Sequence, residues 1–115
     1  MSQPKPPARW VPWALVALAL AVRLLTAWPL QQPGYMDAYY YAVGAQQLYT
    51  GQGFEEPFIW NYLEPPGSVP HPGYLYWMPL ASILGWIGLA LFGDSFGALQ
   101  APLVILSALL PLALY

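Results

Sequence analysis

The chain is 115 residues long, 58% hydrophobic and only 7% charged, with a formal net charge of -2. Soluble domains carry roughly 25% charged residues, so this composition argues against a water-soluble globule. Three Lys and Arg in total cannot build a phosphate-binding surface, which sets nucleic acid aside as a partner, and the lack of cysteine removes disulfides, thiol nucleophiles and Cys-ligated metals.

Residues 1–9 form a polar, proline-rich tail carrying Lys5 and Arg9. The apolar run 10–30 follows, long enough to span a bilayer core that needs roughly 20 helical residues. Pro12 falls in its first turn, where a missing N–H is harmless. Trp10, Trp13 and Trp28 suit the two aromatic belts. A cleaved signal peptide ending near Ala19-Leu20-Ala21 is the competing reading, and apolar character continuing to Leu30 argues against it.

The loop 31–73 contains no Lys or Arg, holds four of the five acidic residues (Asp37, Glu55, Glu56, Glu64), and includes the only histidine, His71. Asp37 as N-cap and Gly51 at C′ predict a short helix over 37–50. Tyr41, Ala45 and Leu48 share one face of it, the pattern of a helix lying at the membrane surface. The runs 74–92 and 96–115 are charge-free and of spanning length, joined by Gly93-Asp94-Ser95. Pro79 is expected to bend the second span. Ala81 with Gly85, and Gly97 with Ala101, have the spacing that allows close helix approach.

The predicted fold is therefore an all-α membrane protein. It has three transmembrane helices and a long extracytoplasmic first loop carrying a short amphipathic helix. Basic residues before the first span place the amino terminus in the cytoplasm and the turn 93–95 back on that side. Tyr115 closes the chain inside an apolar run, so the sequence is expected to be the opening part of a larger bundle in the cell membrane.

The order of features resembles a family. Arg23 lies near the outer end of the first span, Asp37 follows it, and a Tyr-rich helix ends in Gly51-x-Gly53. His71-Pro72-Gly73-Tyr74-Leu75-Tyr76-Trp77 then opens the second span. This looks like the start of the GT-C membrane glycosyltransferases, particularly protein O-mannosyltransferases and lipid A aminoarabinose transferases. Two departures stand out: Ala38 and Gly73 occupy positions where many relatives have Glu and Pro.

The resemblance implies an inverting transfer of sugar from a polyisoprenyl-phosphate donor, on the extracytoplasmic face. Asp37 would be the catalytic base, or would hold a divalent metal. Membrane lipids and the remaining transmembrane helices are the implied partners, and this portion alone is expected to be inactive. Glu55 or Glu56 would stand in for the carboxylate missing at Ala38.

Simpler readings stand beside these. Asp37 as a cap alone contributes about 1 kcal/mol. Arg23 either snorkels outward or meets the carrier phosphate or a carboxylate. His71 is either a solvated loop residue or a ligand or acid. Glu64 reads as turn polarity, and Tyr74, Tyr76 and Trp77 read as belt residues or a sugar platform. A transporter and a small non-catalytic membrane subunit are the alternative functions.

Overall fold

The computed structural model describes residues 8–59 and 67–114; Lys5, Glu64 and Tyr115 lie outside these. Helix α1 runs Val11–Ala27, with Pro12 in its first turn, and stops before Pro29, which has no N–H to extend the ladder. Helix α2 runs Met36–Tyr49. Gly51 takes φ 81° after it, and Gly51 and Gln52 donate back to Leu48 and Gln47, so the last carbonyls of α2 are satisfied by a Schellman closure.

Two short strands follow, β1 (Glu55–Glu56) and β2 (His71–Pro72). They pair antiparallel, with Glu56 opposite His71. The remainder is helical: α3 (Leu80–Phe92), α4 (Phe96–Ala108) and α5 (Leu110–Leu114). Ser95 caps α4 by accepting from the Ala98 amide at 3.1 Å, which fixes the α3–α4 turn.

The described chain is thus all-helical apart from one two-residue ladder, but three spans do not follow from it. Among the described residues only Phe96–Leu114, at 19 residues and mean hydropathy 1.9, is long and apolar enough to cross a membrane. Helix α3 has 13 residues, about 20 Å at 1.5 Å per residue. The expected second span loses residues 74–79 because Pro79 is the N-cap of α3 and not an interior kink. A proline is tolerated at a helix start, where no N–H is needed, and the six residues before it are not helical.

The sense of the helices also departs from the alternating path. The end of α1 (Leu24, Ala27) and the residues just after it (Trp28, Gln31) line a groove with the start of α4 (Ser95, Gly97, Gln100). The amino-terminal half of α1 (Leu15, Leu18, Ala19) lines another with Pro111 and Leu114. Helices α1 and α4–α5 are therefore antiparallel, whereas three alternating spans give the first and third the same sense.

The core lies where α2, α3 and α4 meet. Ala45, Leu89 and Ala98 are buried together, with Leu99 packed on them. A methyl at Gly88 would fall 2.0 Å from the Ala98 carbonyl oxygen, so the α3–α4 crossing is close enough to require glycine there. Gly85 is buried in the same seam, but Gly97 faces open space. Helix α2 packs on α3 through the Tyr41 carbonyl, Gly44 and Ala45. The expected face of Tyr41, Ala45 and Leu48 is shifted: Tyr41 and Leu48 are only half-buried, because small residues at 44 and 45 let the α3 backbone come close there.

Candidate functional site

A buried polar cluster is built at the short ladder. Strand alternation turns Glu55 outward and Glu56 inward, and Glu56 ends 8% exposed. Its Oε1 accepts a hydrogen bond from the Tyr40 hydroxyl of α2 and one from the Tyr74 amide at 3.2 Å. The same amide lies 3.1 Å from the Tyr40 hydroxyl oxygen. Tyr74 takes φ 61°, a left-handed conformation rare for a residue with a Cβ. It aims the N–H back at the cluster at the point where β2 turns toward α3.

His71, opposite Glu56 in the ladder, places Nε2 3.8 Å from Glu56 Oε2. Both ring nitrogens also meet carbonyl oxygens: Nε2 with Phe58 at 3.0 Å and Nδ1 with Pro72 at 3.2 Å. Carbonyls only accept, so a neutral ring satisfies one of them, and the imidazolium satisfies both while forming an ion pair with Glu56. The Tyr40 ring, 3% exposed, is met edge-on by Tyr41, Phe58 and Tyr74 at centroid distances of 5.4, 6.1 and 5.5 Å. Burial first, and then the hydrogen bond to Glu56, push the Tyr40 phenol above its ordinary range. It therefore remains a donor.

Helix α2 has room for this arrangement because Gly44 follows Tyr40 by one turn. A methyl at Gly44 would fall 1.8 Å from the Tyr74 hydroxyl oxygen. Ser82 of α3 adds a hydrogen bond to the Tyr41 carbonyl at 2.9 Å.

No family model, curated protein or solved structure matches this chain.

The candidate residues are distributed unevenly around this cluster. Glu56 and His71 are brought together; Asp37, Arg23 and Glu55 are not part of it. Asp37 lies in the first turn of α2 but is not its N-cap, which is Tyr35. It is exposed and engaged in no hydrogen bond or ion pair among the described residues. Helix α2 starts two residues earlier than the capping reading requires, and Asp37 receives only the general favour of a carboxylate near a helix amino terminus.

Arg23 is exposed on α1 and lines a groove of about 250 Å³ with Thr26, Gln100 and Ser107. It makes no ion pair with Asp37; the one approach of a basic nitrogen to a carboxylate within 4 Å among the described residues is that of His71 to Glu56. Glu55 faces outward. The cluster does not fit a divalent cation, because Oε1 of Glu56 already accepts from Tyr40 and Tyr74 and both His71 nitrogens face carbonyls. Among the described residues no three His, Asp or Glu side chains converge.

Met36, Tyr39, Tyr40 and Val43 of α2 line an apolar groove of about 280 Å³ with Phe58 and Ile59. Tyr40, Tyr74 and Phe58 were not singled out together by the sequence. The available signal was the spacing of Tyr40 and Gly44: a large side chain and a hydrogen on one helix face, one turn apart, mark a place where another segment comes close.

Proposed function

We propose that this chain is the amino-terminal, membrane-embedded part of a glycosyltransferase. It would take a sugar from a polyisoprenyl-phosphate donor and pass it to an acceptor hydroxyl on the extracytoplasmic face. The observation that carries the reading is the exposed carboxylate of Asp37, with no hydrogen bond or ion pair among the described residues, in the first turn of α2 and next in sequence to Met36 of an apolar aromatic groove. A charge beside an apolar groove suits a donor that is itself half lipid, half polar. The order of Arg23, Asp37, Gly51-x-Gly53 and the His71–Trp77 segment supports the same family.

In the proposed step Asp37 accepts the proton of the acceptor hydroxyl as its oxygen attacks the anomeric carbon. The bond from that carbon to the phosphate oxygen breaks on the opposite face. Its electron pair leaves with the polyisoprenyl phosphate, and configuration inverts.

For the membrane we propose that α1 and Phe96–Leu114 cross as an antiparallel pair. Basic Lys5 and Arg9 hold the amino terminus in the cytoplasm. Helix α1, about 25 Å long at 1.5 Å per residue, is a mismatch that local thinning of the bilayer accommodates. A charge-free helix of 13 residues such as α3 has the length of an interfacial or re-entrant segment, and it remains outside with α2 and the ladder. Exposed Leu18, Leu25, Leu91, Ile105 and Leu106 are covered by lipid and by further helices of the full-length protein.

The test is transfer in vesicles containing the full-length protein and polyprenyl-phosphate sugars. Asp37→Asn keeps the shape and removes the base, so turnover falls at least about a hundredfold, the lower end of what a general base supplies, with membrane abundance unchanged. Normal turnover in Asp37→Asn, or none in the wild type with any such donor, would overturn the reading.

A further inference from the structure

We infer that Glu56 is a positioning residue for Asp37, acting through the Tyr40 hydroxyl, and does not itself meet the substrate. The inference rests on the catalytic role proposed for Asp37. Three observations support it.

The first is accessibility. Glu56 is 8% exposed, and its carboxylate is already occupied: Oε1 by Tyr40 and the Tyr74 amide, Oε2 on the side of His71. A sugar or phosphate has no open approach to it.

The second is the route from Glu56 to Asp37. Asp37 and Tyr40 are three residues apart on α2, neighbours on one side of the helix across a single turn. Below Tyr40 the helix is fastened to α3 by the Ser82–Tyr41 hydrogen bond and by close packing at Gly44 and Ala45. Above it, Asp37 and Met36 are exposed. The Tyr40–Glu56 bond is therefore, among the described residues, the side-chain hydrogen bond nearest that exposed first turn, and in this inference it sets how the turn is rotated about the helix axis.

The third is the anchoring of Glu56 itself. It belongs to a ladder whose other strand leads directly into Tyr74 and α3. One carboxylate thus gathers α2, β1 and the approach to α3. Tyr40 and the Tyr74 amide hold one of its oxygens, and His71 lies 3.8 Å from the other.

A displacement of about 1 Å at a reacting group can cost roughly a hundredfold in rate, so loosening this turn is legible in kcat. The experiment uses the full-length protein in vesicles with a polyprenyl-phosphate sugar as donor, and, separately, a nitroxide spin label at Asp37→Cys. Glu56→Ala should lower kcat by about 10- to 100-fold with KM changed by less than about threefold, and should increase the mobility of the label. Glu56→Gln retains an acceptor for Tyr40 and should restore kcat to within about fivefold of wild type and restore the label's order. Tyr40→Phe, which removes one oxygen and keeps the ring, should reproduce the Glu56→Ala effect. It serves if Glu56→Ala fails to reach the membrane.

An unchanged label in both Glu56→Ala and Tyr40→Phe overturns the inference. So does a Glu56→Gln enzyme as inactive as Glu56→Ala with an ordered label, since Glu56 would then act on the substrate by its charge. If the wild type transfers no sugar, the proposed reaction fails, and the spin label still decides whether Glu56 orders the turn.

Discussion

The Tyr40 hydroxyl donates to the Glu56 carboxylate across 16 residues of chain, joining the first loop helix to a strand that local sequence does not announce. Hydrogen bonds to charged groups contribute about 1.5–3 kcal/mol, and a buried charge left without its donor loses all of that. Tyr40→Phe should therefore destabilise the protein by about 1.5–3 kcal/mol in a reversible unfolding titration. Exposed Tyr39→Phe in the same helix should cost less than about 0.5 kcal/mol. Equal effects of the two would show that the bond carries no stability.

Alkaline pH provides a second check. Burial and the bond to Glu56 raise the folded-state pKa of Tyr40 above its ordinary value of 10.0. The unfolded chain loses this proton first, so the contribution is complete below pH 10 and declines as pH rises above it. Unfolding midpoints should fall more steeply above pH 10 in the wild type than in Tyr40→Phe. Parallel curves would remove Tyr40 as the source.

Two glycines of equal helix propensity should respond oppositely to alanine. At Gly88 the new methyl meets the Ala98 carbonyl oxygen at 2.0 Å and Pro102 Cδ at 2.8 Å, whereas at Gly97 nothing lies within 4 Å. Gly88→Ala must part α3 from α4 and should cost about 1–3 kcal/mol, the range for overpacking. Gly97→Ala should be neutral or stabilising by up to about 1 kcal/mol. Thermal unfolding in detergent reads both, and a tolerated Gly88→Ala would mean that the two helices are less closely packed.

Single cysteines at Ser2, Ser68 and Ser95 test the membrane path against a background of 115 residues without native cysteine. The antiparallel pairing of α1 with α4–α5 puts Ser95 on the same side as Ser68. An impermeant thiol reagent should label both from outside and Ser2 only from inside. Labelling of Ser95 together with Ser2 would restore the alternating three-span path.

The sequence by itself determined the apolar segments, their punctuation and the acidic character of the loop between them. Those features are local: Pro12, Gly51 and Ser95 act through backbone geometry and N–H accounting within a turn of their own position. The second apolar run is longer than its helix because hydropathy continues through Tyr74–Met78, while helix does not; Pro79 caps α3, and the Tyr74 amide is given to the Glu56 carboxylate. Only tertiary structure decided which carboxylate is buried. Glu55 and Glu56 are chemically identical neighbours, and two-residue alternation separates them once His71-Pro72 has paired with them. Tertiary structure likewise decided that Arg23 and Asp37 are not paired and that α1 opposes α4. Both depend on which helices meet, and apolar faces in a chain so rich in Leu, Ala and Gly offer many partners of similar affinity. The choice falls to the few sites, such as Gly88 against Ala98, where shape permits one approach.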